Sequence, residues 1–546
     1  MRIVNRTAQS IAAAPEISSN RFDRISRLPP LTDAGSNFLS LKRHLLAAID
    51  RDRIVPIFIL LAVGLRILFW AYTDRIWEDA IITLSPARNF WEGYGLTHHV
   101  PEPRIYSFTS TISILVFLIG EPFGQAINLM RVLSLVTAAG SIYFAARIMR
   151  HFGIHWLGQV VCLSYLATDH LQIFFGMAGM ETQIATCITL SAIFFCLAGQ
   201  LTWFGVFAGL ALLARPEMLA LAAIGFLYVL YKHRWAVWKP AVMALVIVGP
   251  WIAFTTFYYG SPIPQTITVK SWLTGRPSFE QMLEYTSNLW KQFAPFWEYV
   301  FVLSIPVPRF LPALVTGLTA LCALLGLIFA RVERLKLFVI AAVVFAFAAY
   351  LIRYAVNPYF MWYTPPFVAL YFIIVAAGVS AIRRASIVLA ICVTAIITIA
   401  YAMPFVYALP LDRTIQKDSE VAVRTEVGRQ LDQLMGKQDS VFLEPLGFIG
   451  LAVRDRMIYD NPGLGSKLAF EAVKQFGWGF GAVKILRPSF IVARPWELNN
   501  LRRNMPDVVA QYEEVAHIHG KHDYSIDNRG LVYAVPDNEF FIFRRK

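Results

Sequence analysis

Long apolar runs recur along most of this chain, and each must be hidden from water. Runs near or above the ~20 residues that cross a hydrocarbon core fall at about 54–72, 126–147, 156–174, 180–199, 201–214, 217–231, 240–258, 310–330, 335–352, 361–381 and 385–404. Continuous runs of this length predict a polytopic α-helical membrane protein of about 11 spans. Composition agrees: 57% of residues are hydrophobic and 16% charged, against roughly 25% charged in soluble domains. A soluble protein and a disordered chain are both excluded. The net charge of +13 would suggest nucleic acid in a soluble protein. Here it fits basic loops held on one side of a bilayer, so no nucleic-acid partner is expected. The five cysteines, Cys162, Cys187, Cys196, Cys322 and Cys392, all lie within apolar runs and read as small packing residues.

Charge gives the orientation. Lys42, Arg43, Arg51 and Arg53 precede the first span, which predicts a cytoplasmic N-terminus with residues 1–53 as a polar tail. Four further clusters then fall on the same side: Arg147 with Arg150 and His151; Lys232 with His233 and Arg234; Arg331 with Arg334 and Lys336; and Arg383 with Arg384. This holds if the apolar stretch 107–120 does not cross fully and forms a juxtamembrane or re-entrant helix. The other side receives the loops 73–125 and 259–309 of a transmembrane domain spanning 54–408. It also receives 409–546, where charged and apolar residues mix. Short β-like runs, "SVFLEPLGFIGLAV", "RPSFIVARP" and "LVYAVPDNEFFIF", alternate there with helix-like stretches at 417–436 and 467–476. That pattern predicts a small extracytoplasmic α/β domain.

Several residues at this outer end could carry chemistry. Glu78 and Asp79 adjoin each other just past the first span. Adjacent residues do not share a helix face, so one can face a cavity while the other holds a backbone group or a cation. Either could act as a general base, or both could simply favour a helix N-terminus. Glu181 marks the outer end of the fourth run, and Arg215 and Glu217 flank Pro216. Arg215 either pairs with Glu217 or Glu181, or grips a phosphate with its fork. Tyr258, Tyr259, Gln265 and Lys270 follow the seventh run. Arg353, Tyr354, Asn357, Tyr359, Trp362 and Tyr363 form an aromatic-basic cluster that suits a sugar or a membrane anchor. His98 and His99 are adjacent, a poor spacing for metal, and no metal site is assigned. No P-loop, GxGxxG or HExxH occurs, which disfavours a nucleotide-driven transporter.

Six segments, in order, resemble the GT-C superfamily of integral-membrane glycosyltransferases. They are "WEDAIITLSPARNFWEGYGL", which contains Arg88, "IYSFTSTISILV", "GMAGMET", "LLARPEMLAL", "FYYGSPIPQT" and "MIYDNPGLGSK". Within that superfamily they are similar to mycobacterial terminal arabinofuranosyltransferases and related bacterial transferases that use polyprenyl-phosphate sugars. The resemblance covers roughly 54–280 well and the rest loosely. The chain departs at Glu78, where many relatives have Asp, at Gln265, where Asn is common, and at Ile81, where an aromatic often stands.

The resemblance implies a bacterial inner-membrane enzyme that moves a sugar from a polyprenyl-phosphate donor to a glycan or glycolipid acceptor. Glu78 or Asp79 would be the base of an inverting displacement. Arg215, Lys270 or Arg353 would lie near the phosphate, and Arg88, Glu181, Glu217, Tyr259 and Gln265 would line the substrate site. A phosphate leaving group permits catalysis without metal, and a divalent cation at Glu78 and Asp79 is compatible with the same chemistry. Trp478 and Trp496 of the outer domain could hold an acceptor or form its core. The rival functions are a lipid-linked sugar flippase and a non-catalytic envelope-assembly scaffold. The orientation predicts that a reporter fused after Arg384 reads cytoplasmic and one fused after Lys546 reads outer; the reverse pattern would make 107–120 a true span.

Overall fold

The computed structural model describes residues 54–275, 277–295, 308, 310–331, 333–354, 361–521 and 537–546. The expected 1–53 tail lies outside these residues, as do 296–307 of the expected outer loop 259–309 and Asn357 and Tyr359. Among the described residues, eight helices are long and apolar enough to cross a membrane: Ile54–Thr73, Ala126–His151, Trp156–Met177, Pro216–Tyr259, Leu311–Phe329, Arg334–Ile352, Pro365–Ala385 and Ile387–Leu434. The protein is therefore multi-pass. The count differs from about 11 for two reasons. Pro216–Tyr259 takes in two of the expected runs. Thr182–Leu197 and Leu201–Ala214 are apolar but under 18 residues. The Thr111–Gly120 helix has ten residues, about 15 Å of rise, or half a hydrocarbon core.

Two helices form the centre of the bundle. In the most apolar 18-residue stretches of Trp156–Met177 and Pro365–Ala385, 83% of the residues are buried, against 11% in that of Pro216–Tyr259. Glycine sets the central packing. A Cβ on Gly378 would lie 1.7 Å from the Cys322 carbonyl oxygen, and one on Gly326 would lie 2.5 Å from that of Ile374. Each helix thus presses its backbone into the other, as small residues allow where lipid gives no hydrophobic drive. The Ile387–Ile415 helix outruns its expected end at 404. Pro404, Pro410 and Asp412 look like a terminus in sequence, but all three lie inside the helix and Asp412 is fully buried.

The basic clusters gather at one end of the bundle. His151 Nε2 lies 2.8 Å from Lys336 Nζ, Glu333 binds Lys336 at 2.8 Å and approaches Lys232 at 3.5 Å, and Arg384 donates to the Phe329 carbonyl. At the other end, residues after Ile415 continue helically to Leu434 and enter a sheet. Its strands are β1 (Ser440–Leu443), β2 (Met457–Asp460), β3 (Phe490–Ala493), β4 (Tyr512–His519) and β5 (Glu539–Arg545), in the order β2-β1-β3-β5-β4. β1 runs parallel to β2 and β3, while β5 is antiparallel to β3 and β4.

Period-two alternation gives the sheet two cores. Val441, Leu443, Phe490, Val492, Phe540 and Ile542 pack on one face with Val427 and Leu431. Phe442, Ile491, Ala493 and Phe543 pack on the other with Leu498 and Leu501. The expected runs at 440–453, 487–495 and 531–543 each contribute one strand, and 467–476 is the expected helix. β2 and β4 were not foreseen. Trp478 and Trp496 are about half exposed and do not form the core.

The packing makes a prediction. Gly378→Val forces apart Pro365–Ala385 and Leu311–Phe329 and should abolish recovery of monodisperse protein. Gly317→Ala, with nothing within 4 Å of its new methyl, should change thermal stability by less than about 1 kcal/mol.

Candidate functional site

The six motif segments, far apart in sequence, meet at the sheet end of the bundle. Trp77 N donates to the Ala178 carbonyl at 2.9 Å, joining the first segment to the third. Tyr259 Oη donates to the Leu96 carbonyl at 2.7 Å, and the Tyr258 hydroxyl accepts from Leu96 N at 2.9 Å. Gln265 N donates to the Tyr106 carbonyl at 2.8 Å, and its side chain approaches the Gly463 carbonyl at 3.4 Å. Ser113 Oγ donates to Glu181 Oε2 at 2.7 Å, and Arg215 Nη1 donates to Glu181 Oε1 at 2.6 Å.

Glu78 and Asp79 open the Glu78–Trp91 helix, and their side chains part. Glu78 turns to the sheet domain. Its Oε1 accepts from Gly447 N at 2.6 Å, and its Oε2 pairs with Arg424 Nη1 at 2.9 Å. Burial pushes the Glu78 carboxyl up to about 7, against the pull of Arg424. The Asp79 carboxylate has no hydrogen-bond or ion-pair partner among the described residues. Burial raises its carboxyl above the ordinary aspartate value, Lys270 pulls it down, Glu181 pushes it further up and Arg215 opposes. Lys270 is its counterpart. Burial lowers the ammonium, but Tyr363 and Asp79 outweigh that and hold it above its usual value. Lys270 Nζ also reaches Tyr363 Oη at 3.3 Å.

Arg215 forms the back of this site. Its Nε meets Glu217 Oε1 at 2.5 Å, its Nη1 meets Glu181, and its guanidinium lies 4.4 Å from the centre of the Tyr363 ring. It pairs with both acids that the sequence offered. One buried cation between two carboxylates leaves a local excess of negative charge, a poor place for a phosphate. Removing the arginine would strand two buried acids, which costs about 3–5 kcal/mol in buried pairs. Arg215 instead fixes Tyr363, which in turn contacts Lys270.

The remaining residues lie as follows. Arg88 is one-third exposed and bonds Glu121 at 2.6 Å, tying its helix to the Glu121–Phe123 turn. Tyr259 stacks on Tyr106 at 5.0 Å and, with its Leu96 bond, clamps the first loop. Arg353 falls within the Arg334–Tyr354 helix, but its side chain, like that of Tyr354, lies outside the described residues. Trp362 packs against Trp77 and Phe175. Among the described residues no group of three or more His, Cys, Asp or Glu is placed to hold a metal ion, and Glu78 and Asp79 do not converge on one point. His99 bonds Glu102 at 3.1 Å, and Glu102 accepts from Leu468 N, so this pair joins the first loop to the sheet domain.

Sequence reasoning missed the ion network behind Glu78. Arg424 also binds Glu420 and Asp537, each at 2.8 Å. Arg75 binds Glu420 at 3.0 Å, and Arg494 binds Asp537 at 2.9 Å and Glu444 at 2.7 Å. The one signal was Arg75, a charge set immediately past a span. Arg424 sits on a helix whose charges resemble any solvated face.

No protein-family model matches the chain, and no curated protein matches it significantly. Its structure is similar to the crystal structure of ArnT from Cupriavidus metallidurans bound to undecaprenyl phosphate. The TM-score is 0.54 at 12% sequence identity, over 90% of this chain and 97% of that one. The likeness shows a shared fold. It carries nothing specific to arabinofuranosyltransferases.

Proposed function

We propose that this protein transfers a sugar from a polyprenyl-phosphate donor to a hydroxyl of a cell-envelope glycan or glycolipid on the outer face of the membrane, with Asp79 as the base. The observation that carries this reading is the Asp79 carboxylate, without a hydrogen-bond or ion-pair partner among the described residues and within electrostatic reach of Lys270, on the first of the six motif segments that meet. The fold it shares with a protein crystallised with undecaprenyl phosphate supports a lipid-linked donor. The four basic clusters gathered at the opposite end support an outer site by the positive-inside rule.

In this mechanism the Asp79 carboxylate takes the proton of the acceptor hydroxyl as its oxygen attacks the anomeric carbon. The new C–O bond forms opposite the bond to phosphate and inverts the centre. The old bond breaks with its electron pair on the phosphate oxygen, where Lys270, steadied by Tyr363, meets the charge. Lipid phosphate leaves, and the proton passes from Asp79 to water. Glu78, with both oxygens engaged, positions the helix and does not take the proton. Arg215, Glu181 and Glu217 shape the wall behind Tyr363.

The test is release of free lipid phosphate from a panel of polyprenyl-phosphate sugars by the purified protein, with candidate acceptors. Asp79→Asn should lower turnover by about 100-fold or more, as loss of a general base does, while lipid binding persists. Because burial raises the folded pKa of Asp79, the rate should fall with acidification at a higher pH than a free aspartate would dictate. Lys270→Met removes a cation that holds Asp79 down, so it should move that acidic limb upward and raise the donor KM. A fully active Asp79→Asn protein would contradict the base assignment. Tight lipid binding with no release from any donor would favour a flippase.

A further inference from the structure

We infer that Arg424 is a positioning residue through which the sheet domain sets the direction of Asp79, so that the membrane helices alone hold an incomplete site. The inference rests on Asp79 being the base.

The geometry begins at the helix N-terminus. Trp77, the N-cap of the Glu78–Trp91 helix, supplies no side-chain cap. Its amide is held by Ala178, and its ring lies edge-on against Phe174 and Phe175. These contacts fix where the helix starts, and Asn89, bonded to the Thr97 and His98 carbonyls, with Arg88, bonded to Glu121, anchors its far end. At the first turn, where Asp79 lies, the added side-chain restraint is Glu78. Successive residues on a helix are rotated by about 100°, so fixing the Glu78 side chain fixes the direction of Asp79.

All the described polar contacts of the Glu78 carboxylate come from the sheet domain and the helix leading into it: Gly447 N at 2.6 Å, Phe448 N at 3.5 Å and Arg424 Nη1 at 2.9 Å. The approach is close, since a Cβ on Gly447 would lie 2.7 Å from the Glu78 carboxyl carbon. Gly447 follows β1, at the carboxyl end of the strand between β2 and β3. The chain leaves β1 toward one neighbour and later returns to the other, the kind of crevice where α/β sheets take ligands. Here a side chain of the membrane domain occupies it.

Arg424 makes that grip rigid. A planar fork can hold carboxylates from different directions at once, which a lysine ammonium cannot do with the same order. Nη1 serves Glu78 and Glu420, and Nη2 serves Asp537. Glu420 is fastened in turn to Arg75, just past the first span, and Asp537 to Arg494, just after β3. The chain Arg75–Glu420–Arg424–Asp537–Arg494 alternates in sign from membrane helix to sheet, and Glu78 hangs from its middle. A shift of the sheet domain would therefore displace the first turn of the helix, the turn that carries Asp79.

The experiment compares Arg424→Met, Arg424→Lys, Glu78→Gln, the double variant Glu78→Gln/Arg424→Met and Asp79→Asn in the full-length protein. Turnover is expressed per molecule able to bind polyprenyl phosphate, so loss of folded protein does not count as loss of rate. Arg424→Met should lower kcat by about 10- to 100-fold, the cost of a small misplacement, with donor KM within about twofold of wild type. Arg424→Lys should recover part of the loss. The double variant should be no slower than the slower single variant, because both act through one contact. If Arg424→Met cannot be purified, Arg424→Lys and Glu78→Gln carry the test, each with reduced kcat and unchanged KM. Wild-type kcat in the Arg424 variants and Glu78→Gln, with Asp79→Asn inactive, overturns the positioning role and leaves the base assignment standing. An active Asp79→Asn protein overturns the base assignment itself.

Discussion

Consecutive side chains on a helix point about 100° apart, and at Glu78 and Asp79 that angle separates two environments. Glu78 is taken up by Gly447 and Arg424. Asp79 is left facing Lys270 with no bonded partner among the described residues. The helix that bears them starts at the end of the first span, and the first loop that follows it is clamped by Tyr258, Tyr259 and the sheet domain. The placement of the membrane domain, the sheet domain and the candidate base thus depends on one turn of helix.

The surroundings follow from the expense of burying charge. A charge removed from water must be answered by an opposite charge or by several dipoles. Arg66, fully buried in the first span, is answered by the carbonyls of Ala62 and Leu166 and by Gln183 at 2.6 Å. Arg215 is answered by two carboxylates, and Arg424 by three. These groups are committed to one another and hold elements in register. Asp79 and Lys270 differ because they are near enough to influence each other's protonation while the aspartate stays uncommitted. That distinction, rather than burial alone, is what the proposed roles of Asp79 and Lys270 rest on.

Much of this was legible in the sequence. The apolar runs foretold a multi-pass helical protein, and the β-like runs at 440–453 and 487–495 foretold strands. Three things were not legible. Hydropathy does not give the length of the helix within a run, and the runs at 180–199 and 201–214 hold helices of only 16 and 14 residues. Adjacency gave no sign of which acid faces the site, because the deciding partners, Gly447 and Arg424 against Lys270, come from remote segments. β2 and β4 were missed for local reasons: "MIYD" is very short, and "YEEVAHIH" carries its charges along an exposed edge.

In the proposed mechanism the donor phosphate lies beside Lys270 with Asp79 on the acceptor side of the anomeric carbon. An experimental structure of the wild-type protein with a polyprenyl phosphate bound tests this placement most directly. Phosphate density is expected within hydrogen-bond reach of Lys270 Nζ, with Glu78 still held by Gly447 and Arg424. Phosphate gripped by Glu78's partners, or seated between Arg215 and a displaced Glu181, would contradict it.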